Sequence, residues 1–172
     1  MLFIDRGLYH IYNRGNNKLP IFFNYNNYVH FLKKVRKKIV PHCDLLAYCL
    51  MPNHFHILIQ MKSILTQTFK QLNTKESIAD HTSIKVQSER HALSLAIGIL
   101  LSSYSQAVNK QNGTSGSLFQ QKTKAKYLDH IDLARTVFHY IHQNPAQARL
   151  VQQMEDWEFS SFKDYAGLRR AL

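Results

Sequence analysis

The sequence predicts an α+β fold in which helices pack on one face of an antiparallel sheet. Segments with the composition of strands are mixed with segments of helical periodicity, and the two kinds do not alternate strictly. Their order is strand, helix, strand, strand, helix, strand, helix. The 172 residues, 45% hydrophobic and 12% aromatic, have the length and composition of one globular domain rather than of a disordered or fibrous protein.

The first two predicted elements are a strand and a helix. Residues 8–14 (LYHIYNR) are rich in aromatic and β-branched side chains, which favours a strand. From Asn26 the period becomes helical, until Pro41 ends the helix. Its apolar stripe consists of Tyr28, Phe31, Leu32, Val35 and Ile39. Around the stripe lie five cations, Lys33, Lys34, Arg36, Lys37 and Lys38. They form either a solvated face or a phosphate-facing surface, and both interpretations stay open.

A β-hairpin is predicted next. Residues 44–50 and 54–60 have the composition of strands, and the Pro-Asn turn between them indicates that they pair. Residues 63–72 have the spacing of a short helix. Residues 73–90 are polar and aperiodic, so we expect a flexible insertion there within a single domain that spans residues 1–172.

The second half contains a helix, a strand and a final helix. The first helix has an apolar stripe of Leu93, Ile97, Leu100, Leu101, Tyr104 and Val108. An Asn-Gly pair ends it, and residues 117–128 follow as a predicted strand. The last helix begins near Asp132, and we expect Asn144-Pro145 to break it. Three aromatic residues of the tail, Trp157, Phe159 and Phe162, are expected to pack onto the core.

Alternation along residues 117–128 places three lysines, Lys122, Lys124 and Lys126, on one face of that strand and Tyr127 on the other. Such a row can protect an edge strand from aggregation. It can equally contact the phosphates of a nucleic acid.

Charge and composition narrow the function classes. The chain has 22 Lys and Arg against 11 Asp and Glu, a net charge of +11, which is typical of nucleic-acid-binding proteins. Two cysteines are too few for a disulfide scaffold or a four-cysteine zinc site. The apolar stretches are shorter than the ~20 residues of a membrane span, and residues 1–10 lack the apolar region of a signal peptide. We therefore expect a cytoplasmic protein that does not bind membranes.

His54-Phe55-His56 is the first candidate for chemistry. On a strand, residues i and i+2 face the same way, so both imidazoles point to one side, about 6–7 Å apart at Cα. They can converge on one cation in an open site that oxygen ligands and water complete. The alternative is a pair of structural histidines on an exposed sheet face, and the spacing alone does not decide between them.

Tyr140 and Asn144 are the second candidate. They lie four residues apart on the last helix and therefore share a face. A tyrosine hydroxyl can be a covalent nucleophile, and an amide oxygen can be a third metal ligand. Equally, Tyr140 can be a core aromatic residue whose hydroxyl reaches water.

Five segments, taken together and in order, resemble a known family. They are residues 9–15 (YHIYNRG), 51–58 (MPNHFHIL), 116–121 (GSLFQQ), 140–145 (YIHQNP) and 157–162 (WEFSSF). The chain is similar to the single-tyrosine HUH transposases of bacterial insertion sequences and to their relatives, the REP-associated tyrosine transposases. The resemblance extends from about Leu8 to Phe162.

This resemblance implies a ferredoxin-like fold and a metal-dependent DNA strand transferase. It implies that His54 and His56 on a central strand hold Mg²⁺ or Mn²⁺, with Asn144 as third ligand. Tyr140 would be the nucleophile that cleaves and rejoins single-stranded or hairpin DNA through a 5′-phosphotyrosine. We assign DNA contacts to Arg14 and to the three lysines of residues 117–128.

Other functions remain open from the sequence. One is a catalytically inactive or domesticated protein that binds single-stranded or hairpin DNA. Another is a metal-dependent hydrolase unrelated to nucleic acid, which the charge of +11 disfavours. The sequence also leaves open whether the active site is assembled within one chain or across a homodimer, and whether the protein associates with the bacterial nucleoid.

Overall fold

A four-stranded antiparallel sheet forms the centre of the protein. The structure, a computed structural model, describes residues 3–63 and 78–169, with the backbone alone over 78–90. The strands are β1 (Leu8–Arg14), β2 (Cys43–Met51), β3 (His54–Met61) and β4 (Lys124–Leu128), in the spatial order β2-β3-β1-β4. β1 and β3 are the two central strands, so residues on them have a neighbour on each side.

In the described part of the chain, four α-helices accompany the sheet: α1 (Tyr25–Lys38), α2 (Ile78–Asn112), α3 (Ile131–Gln147) and α4 (Phe162–Tyr165). The order β1-α1-β2-β3-α2-β4, with the central pair β1 and β3, is the ferredoxin-like arrangement. The predicted α+β fold class, the first strand, the first helix and the hairpin are confirmed.

The helices lie on both faces of the sheet. α1 and α2 share a core with one face of β3, that of Phe55, Ile57 and Ile59. α3 packs on the other face, where Ile141 contacts the cluster around Leu58. The prediction that the helices pack on one face of the sheet is correct for α1 and α2, whereas α3 forms a second layer on the opposite face. The physical reason is that β3 is apolar on both faces, and both must be shielded from water.

The predicted strand over 117–128 is wrong in its first half. Only Lys124–Leu128 is a strand, because the backbone turns at Gly116 (φ 92°) and Lys122 (φ 62°). Phe119 still forms an isolated antiparallel bridge with Gly15. Lys122 consequently lies in a loop, and the lysine row along the strand is reduced to Lys124 and Lys126.

Two helix boundaries differ from those predicted. α2 begins at Ile78, so the backbone of 78–90, assigned to an insertion, is helical. The rest of that insertion and residues 64–72 lie outside the described residues. α3 continues past Pro145 to Gln147. Proline costs a helix one hydrogen bond, and this loss matters little so close to the end, where the Leu150 N–H donates to the Pro145 carbonyl.

One segment of α2, His91–Asn112, is long and apolar enough to cross a membrane by length and composition. Its predicted stripe is buried in the protein core, where Leu93 and Tyr104 are fully buried and the Tyr104 hydroxyl donates to the Ile21 carbonyl. The opposite side of the helix is exposed, and it carries the apolar residues Leu95 and Ile99.

The tail ties α3 to the edge strand β2. Phe159 stacks on Tyr28 at 3.9 Å between ring centroids, which confirms that the tail packs on the core. The Ser161 N–H donates to the Tyr48 carbonyl on β2, and the Ser161 hydroxyl lies 2.8 Å from Nε2 of the buried His142 on α3. Burial lowers the pKa of His142 to about 4, so this ring is neutral at pH 7.

Candidate active site

The two histidines of β3 lie on the face that α3 covers. His54 and His56 share that face with Leu58, and their ring centroids are 5.1 Å apart. The strand pairing places Tyr12 directly opposite His56, and Arg14 opposite His54, on β1. The expected shared face is therefore present, but it is enclosed. His56 is buried, with 6% of its surface exposed, and His54 is half-buried.

The Nδ1 atom of each histidine lies within hydrogen-bond distance of a neighbouring side chain. His54 Nδ1 lies 2.7 Å from Asn53 Oδ1, and His56 Nδ1 lies 2.9 Å from Nε2 of His10. His56 Nε2 is buried and has no hydrogen-bond partner in the part of the chain that the structure describes. A buried polar atom without a partner is unusual in a folded protein and invites an explanation.

Burial keeps these rings uncharged. It lowers the pKa of His56 to about 3, and the neighbouring His10 and His54 add to this effect. Burial and the charge of Lys126 lower the pKa of His10 to about 4. The pKa of His54 is lowered too, chiefly by burial, although a hydrogen bond with the Asn144 side chain opposes the shift. At pH 7 the rings are therefore neutral, the form in which imidazole binds a metal.

α3 brings the second candidate pair to the histidines. The buried stripe of α3, which includes Val137 and Ile141, packs on the sheet. The adjacent face of the helix therefore lies beside the histidines. Tyr140, 43% exposed, lies on that face with its ring edge-on to His56 at 5.4 Å between centroids. Asn144, one turn later, donates from Nδ2 to the Tyr140 carbonyl at 2.8 Å, and its side chain lies near enough to His54 to oppose the lowering of the pKa of that ring. Tyr140 and Asn144, 80 or more residues away along the chain, thus meet the histidine pair.

Cations surround this group. A cavity of about 330 Å³ is lined by His54, His56 and Tyr140 together with Arg14, Lys122 and Lys124. Lys126 lies opposite His10 in the β1–β4 pairing and so shares their sheet face. We call Lys122, Lys124 and Lys126 the site lysines. All three are exposed, and neither they nor Arg14 form an ion pair with any described residue.

The donor set fits a divalent cation of the Mg²⁺ or Mn²⁺ type. It offers the unpartnered Nε2 of His56, the neighbouring His54 ring and the Asn144 amide. Among the described residues, no three His, Cys, Asp or Glu side chains form a group that could hold a metal. Two imidazoles and one amide leave positions for water and phosphate oxygens, which suits these cations better than a closed structural zinc site.

Two residues of this site were not singled out from the sequence. His10 and Tyr12 lie on β1, with their rings 5.0 Å and 5.8 Å from that of His56. Their spacing of two predicts a common face on β1. Which face meets the His54–His56 pair depends on the pairing of β1 with β3, and the sequence pattern does not specify it.

The chain was compared with known proteins at the level of sequence and of structure. It matches no protein-family model and no curated protein sequence. A solved structure of a REP-associated tyrosine transposase bound to a REP hairpin superposes with a TM-score of 0.59 at 16% identity. The chain shares the fold of that transposase. The match covers 98% of this chain and 86% of the transposase chain, so it includes the sheet and α3 as well as the helices of the other layer.

Proposed function

We propose that the protein is a metal-dependent transferase of single-stranded or hairpin DNA that cleaves and rejoins strands through Tyr140. The observation that carries the proposal is the position of Tyr140, a partly exposed phenol held edge-on to the His54–His56 pair in a cavity lined by cations. The fold shared with a DNA-bound tyrosine transposase supports it. With this activity, the protein would act in the bacterial cytoplasm, at the nucleoid.

Tyr140 supplies the nucleophile. Its Oη forms a bond to the scissile phosphorus while the bond from phosphorus to the 3′ oxygen breaks. The phenol proton leaves, the 3′ oxygen takes up a proton, and the products are a 5′-phosphotyrosine and a free 3′-OH. A second 3′-OH can then displace the tyrosine and join two strands. The covalent bond stores the energy of the phosphodiester, so no nucleotide cofactor is required.

His54, His56 and Asn144 would hold Mg²⁺ or Mn²⁺. When bound, such a cation polarises a phosphate and neutralises the charge that develops during transfer. The two histidines are fixed by strand β3, and Asn144 is fixed on the helix that carries Tyr140. One turn of α3 therefore sets the distance between the nucleophile and the ligands, which is the kind of preorganisation that transfer reactions need.

The site lysines and Arg14 would hold the DNA backbone. Lys122, Lys124 and the half-buried Arg14 line the cavity beside Tyr140, and Lys126 lies further along the same sheet face. Among the described residues, no acidic side chain forms an ion pair with them. The cations of α1 lie on the opposite side of the sheet from the histidines, because α1 packs on the other face. DNA that reaches Tyr140 should therefore depend on the site lysines more than on α1.

A matched pair of triple variants tests this assignment. Replacing the three site lysines with glutamine should weaken binding to a single-stranded oligonucleotide and make the plot of log affinity against log salt shallower by about 2, at ~0.7 per phosphate contact. The control replaces three exposed cations of α1, namely Lys33, Arg36 and Lys37. Equal slopes for both variants would show that the site lysines only protect the strand edge.

Incubation with single-stranded or hairpin DNA and Mn²⁺ tests the activity itself. We expect a protein–DNA adduct that survives SDS and requires the cation, with a free 3′-OH on the released strand. Salt-sensitive DNA binding without an adduct under any cation condition would contradict the transferase and leave the inactive DNA-binding protein as the function.

A further inference from the structure

We propose that His10 is a positioning residue that fixes the tautomer of His56, so that Nε2 of His56 faces the cation with its lone pair. The inference rests on the proposed metal site, since it concerns how one ligand of that site is prepared. His10 itself does not bind the cation in this assignment. Its ring lies edge-on to that of Tyr140, with centroids 6.3 Å apart, and its nitrogen acts through the His56 ring.

The contact between the two rings carries the inference. His10 Nε2 and His56 Nδ1 are 2.9 Å apart, both side chains are buried, and the ring planes are inclined by only 29° with centroids 5.0 Å apart. A hydrogen bond between two ring nitrogens contains one proton, which belongs to one of them. If it belongs to His56, then Nε2 of the neutral His56 ring carries a lone pair.

The opposite arrangement is unfavourable at this site. A proton donated by His10 would require neutral His56 to carry its own proton on Nε2. That atom is buried and meets no acceptor among the described residues. A buried donor without an acceptor loses the hydrogen bond that it made to water, and an N–H that points at the cation site would also prevent the cation from binding. The lone-pair form avoids both penalties when the cation is bound.

The other histidine ligand is prepared in the same way. Asn53 Oδ1 can only accept, so its 2.7 Å contact with His54 places the proton of that ring on Nδ1 and leaves the Nε2 lone pair free. The Asn53 amide is itself oriented, since its Nδ2 donates to the Lys18 carbonyl. Asn53 and His10 thus have the same effect on His54 and His56: each holds the proton of its ring on Nδ1. Metal-binding histidines usually have such a partner on the nitrogen that does not bind the metal.

The pairing of β1 with β3 explains why His10 can do this. His10 lies two residues along β1 from Tyr12, the residue opposite His56, and therefore reaches His56 diagonally on the same sheet face. Both strands are central and both side chains are buried, with 7% of His10 and 6% of His56 exposed. This predicts a clear loss when the acceptor is removed.

The experiment compares two variants of His10 in the full chain. His10→Phe keeps the ring shape but removes the acceptor, and His10→Gln offers an amide oxygen in its place. Mn²⁺ affinity is measured on the DNA-free protein by electron paramagnetic resonance, and the His56 tautomer is read from ¹⁵N-correlated NMR spectra of the protein saturated with diamagnetic Mg²⁺. His30→Phe, an exposed histidine on α1, serves as control.

We expect wild-type His56 to carry its proton on Nδ1, His10→Phe to weaken Mn²⁺ binding about 10- to 100-fold, and His10→Gln to restore most of it. Loss of binding in both variants alike, or a His56 proton on Nε2 in the wild type, would overturn the role of His10. So would unchanged binding in His10→Phe. Wild-type protein that binds no Mn²⁺ would overturn the metal site itself, and the positioning role with it.

Discussion

Tyr140→Phe should abolish the covalent protein–DNA adduct while leaving DNA binding and Mn²⁺ binding at wild-type levels. The substitution removes a single oxygen atom, and the ring that lies edge-on to His56 remains. Because the hydroxyl is the only atom of this residue that can bond to phosphorus, the adduct should fall below detection rather than merely slow down. The measurement is denaturing electrophoresis of labelled DNA after incubation with Mn²⁺, followed by peptide mapping of the trapped wild-type adduct.

Two other tyrosines serve as controls for this result. Tyr127 is exposed but lies on the sheet face of Tyr9, away from the histidines, and its replacement by phenylalanine should leave the adduct intact. Tyr104 is buried in the core and its hydroxyl is bonded to the Ile21 carbonyl, so it cannot reach DNA. An adduct that maps to any tyrosine other than Tyr140 would overturn the assignment.

His54→Ala should lower both Mn²⁺ affinity and the rate of adduct formation by at least about 100-fold. Loss of a residue that only orients a ligand costs 10- to 100-fold, and loss of the ligand itself should cost no less. His54 is half-buried rather than part of the apolar core, and its neighbours Asn53 and Asn144 keep their own hydrogen bonds to the Lys18 and Tyr140 carbonyls, so the fold should survive the change. Metal titration and single-turnover cleavage measure the two effects.

His56 is the less suitable residue for this test. His56→Ala would leave folding unaffected if the histidine were exposed on the sheet face. His56 is instead buried and hydrogen-bonded to His10. Alanine there leaves a cavity and an unpaired His10 nitrogen, so a loss of activity could follow from a loss of stability. His30→Ala on α1 is the matched control for His54→Ala. If His54→Ala cleaves at the wild-type rate, the histidine pair does not hold a catalytic cation.

Local sequence patterns predicted most of the elements of this fold. The two-residue alternation of residues 54–60 correctly placed His54 and His56 on one face, and the four-residue spacing of Tyr140 and Asn144 correctly placed them together on α3. Both predictions need only the repeat of a strand or a helix. The strand over 117–128 failed because alternation does not reveal a left-handed backbone at Lys122, which depends on the contacts of the loop with β1.

The sequence by itself determined the α+β class, the basic character of the protein and the pairs of residues that share a face. Those properties follow from composition and from the periods of strands and helices, which are local. Only the folded chain shows that α3 covers the second face of the sheet and that His10 lies against His56, and it brings Tyr140 to the histidines as the family resemblance implied. The last two contacts, of His10 and of Tyr140 with His56, join residues 46 and 84 positions apart. They depend on strand order and on which apolar surfaces must be buried together, and neither is encoded in the spacing of any one segment.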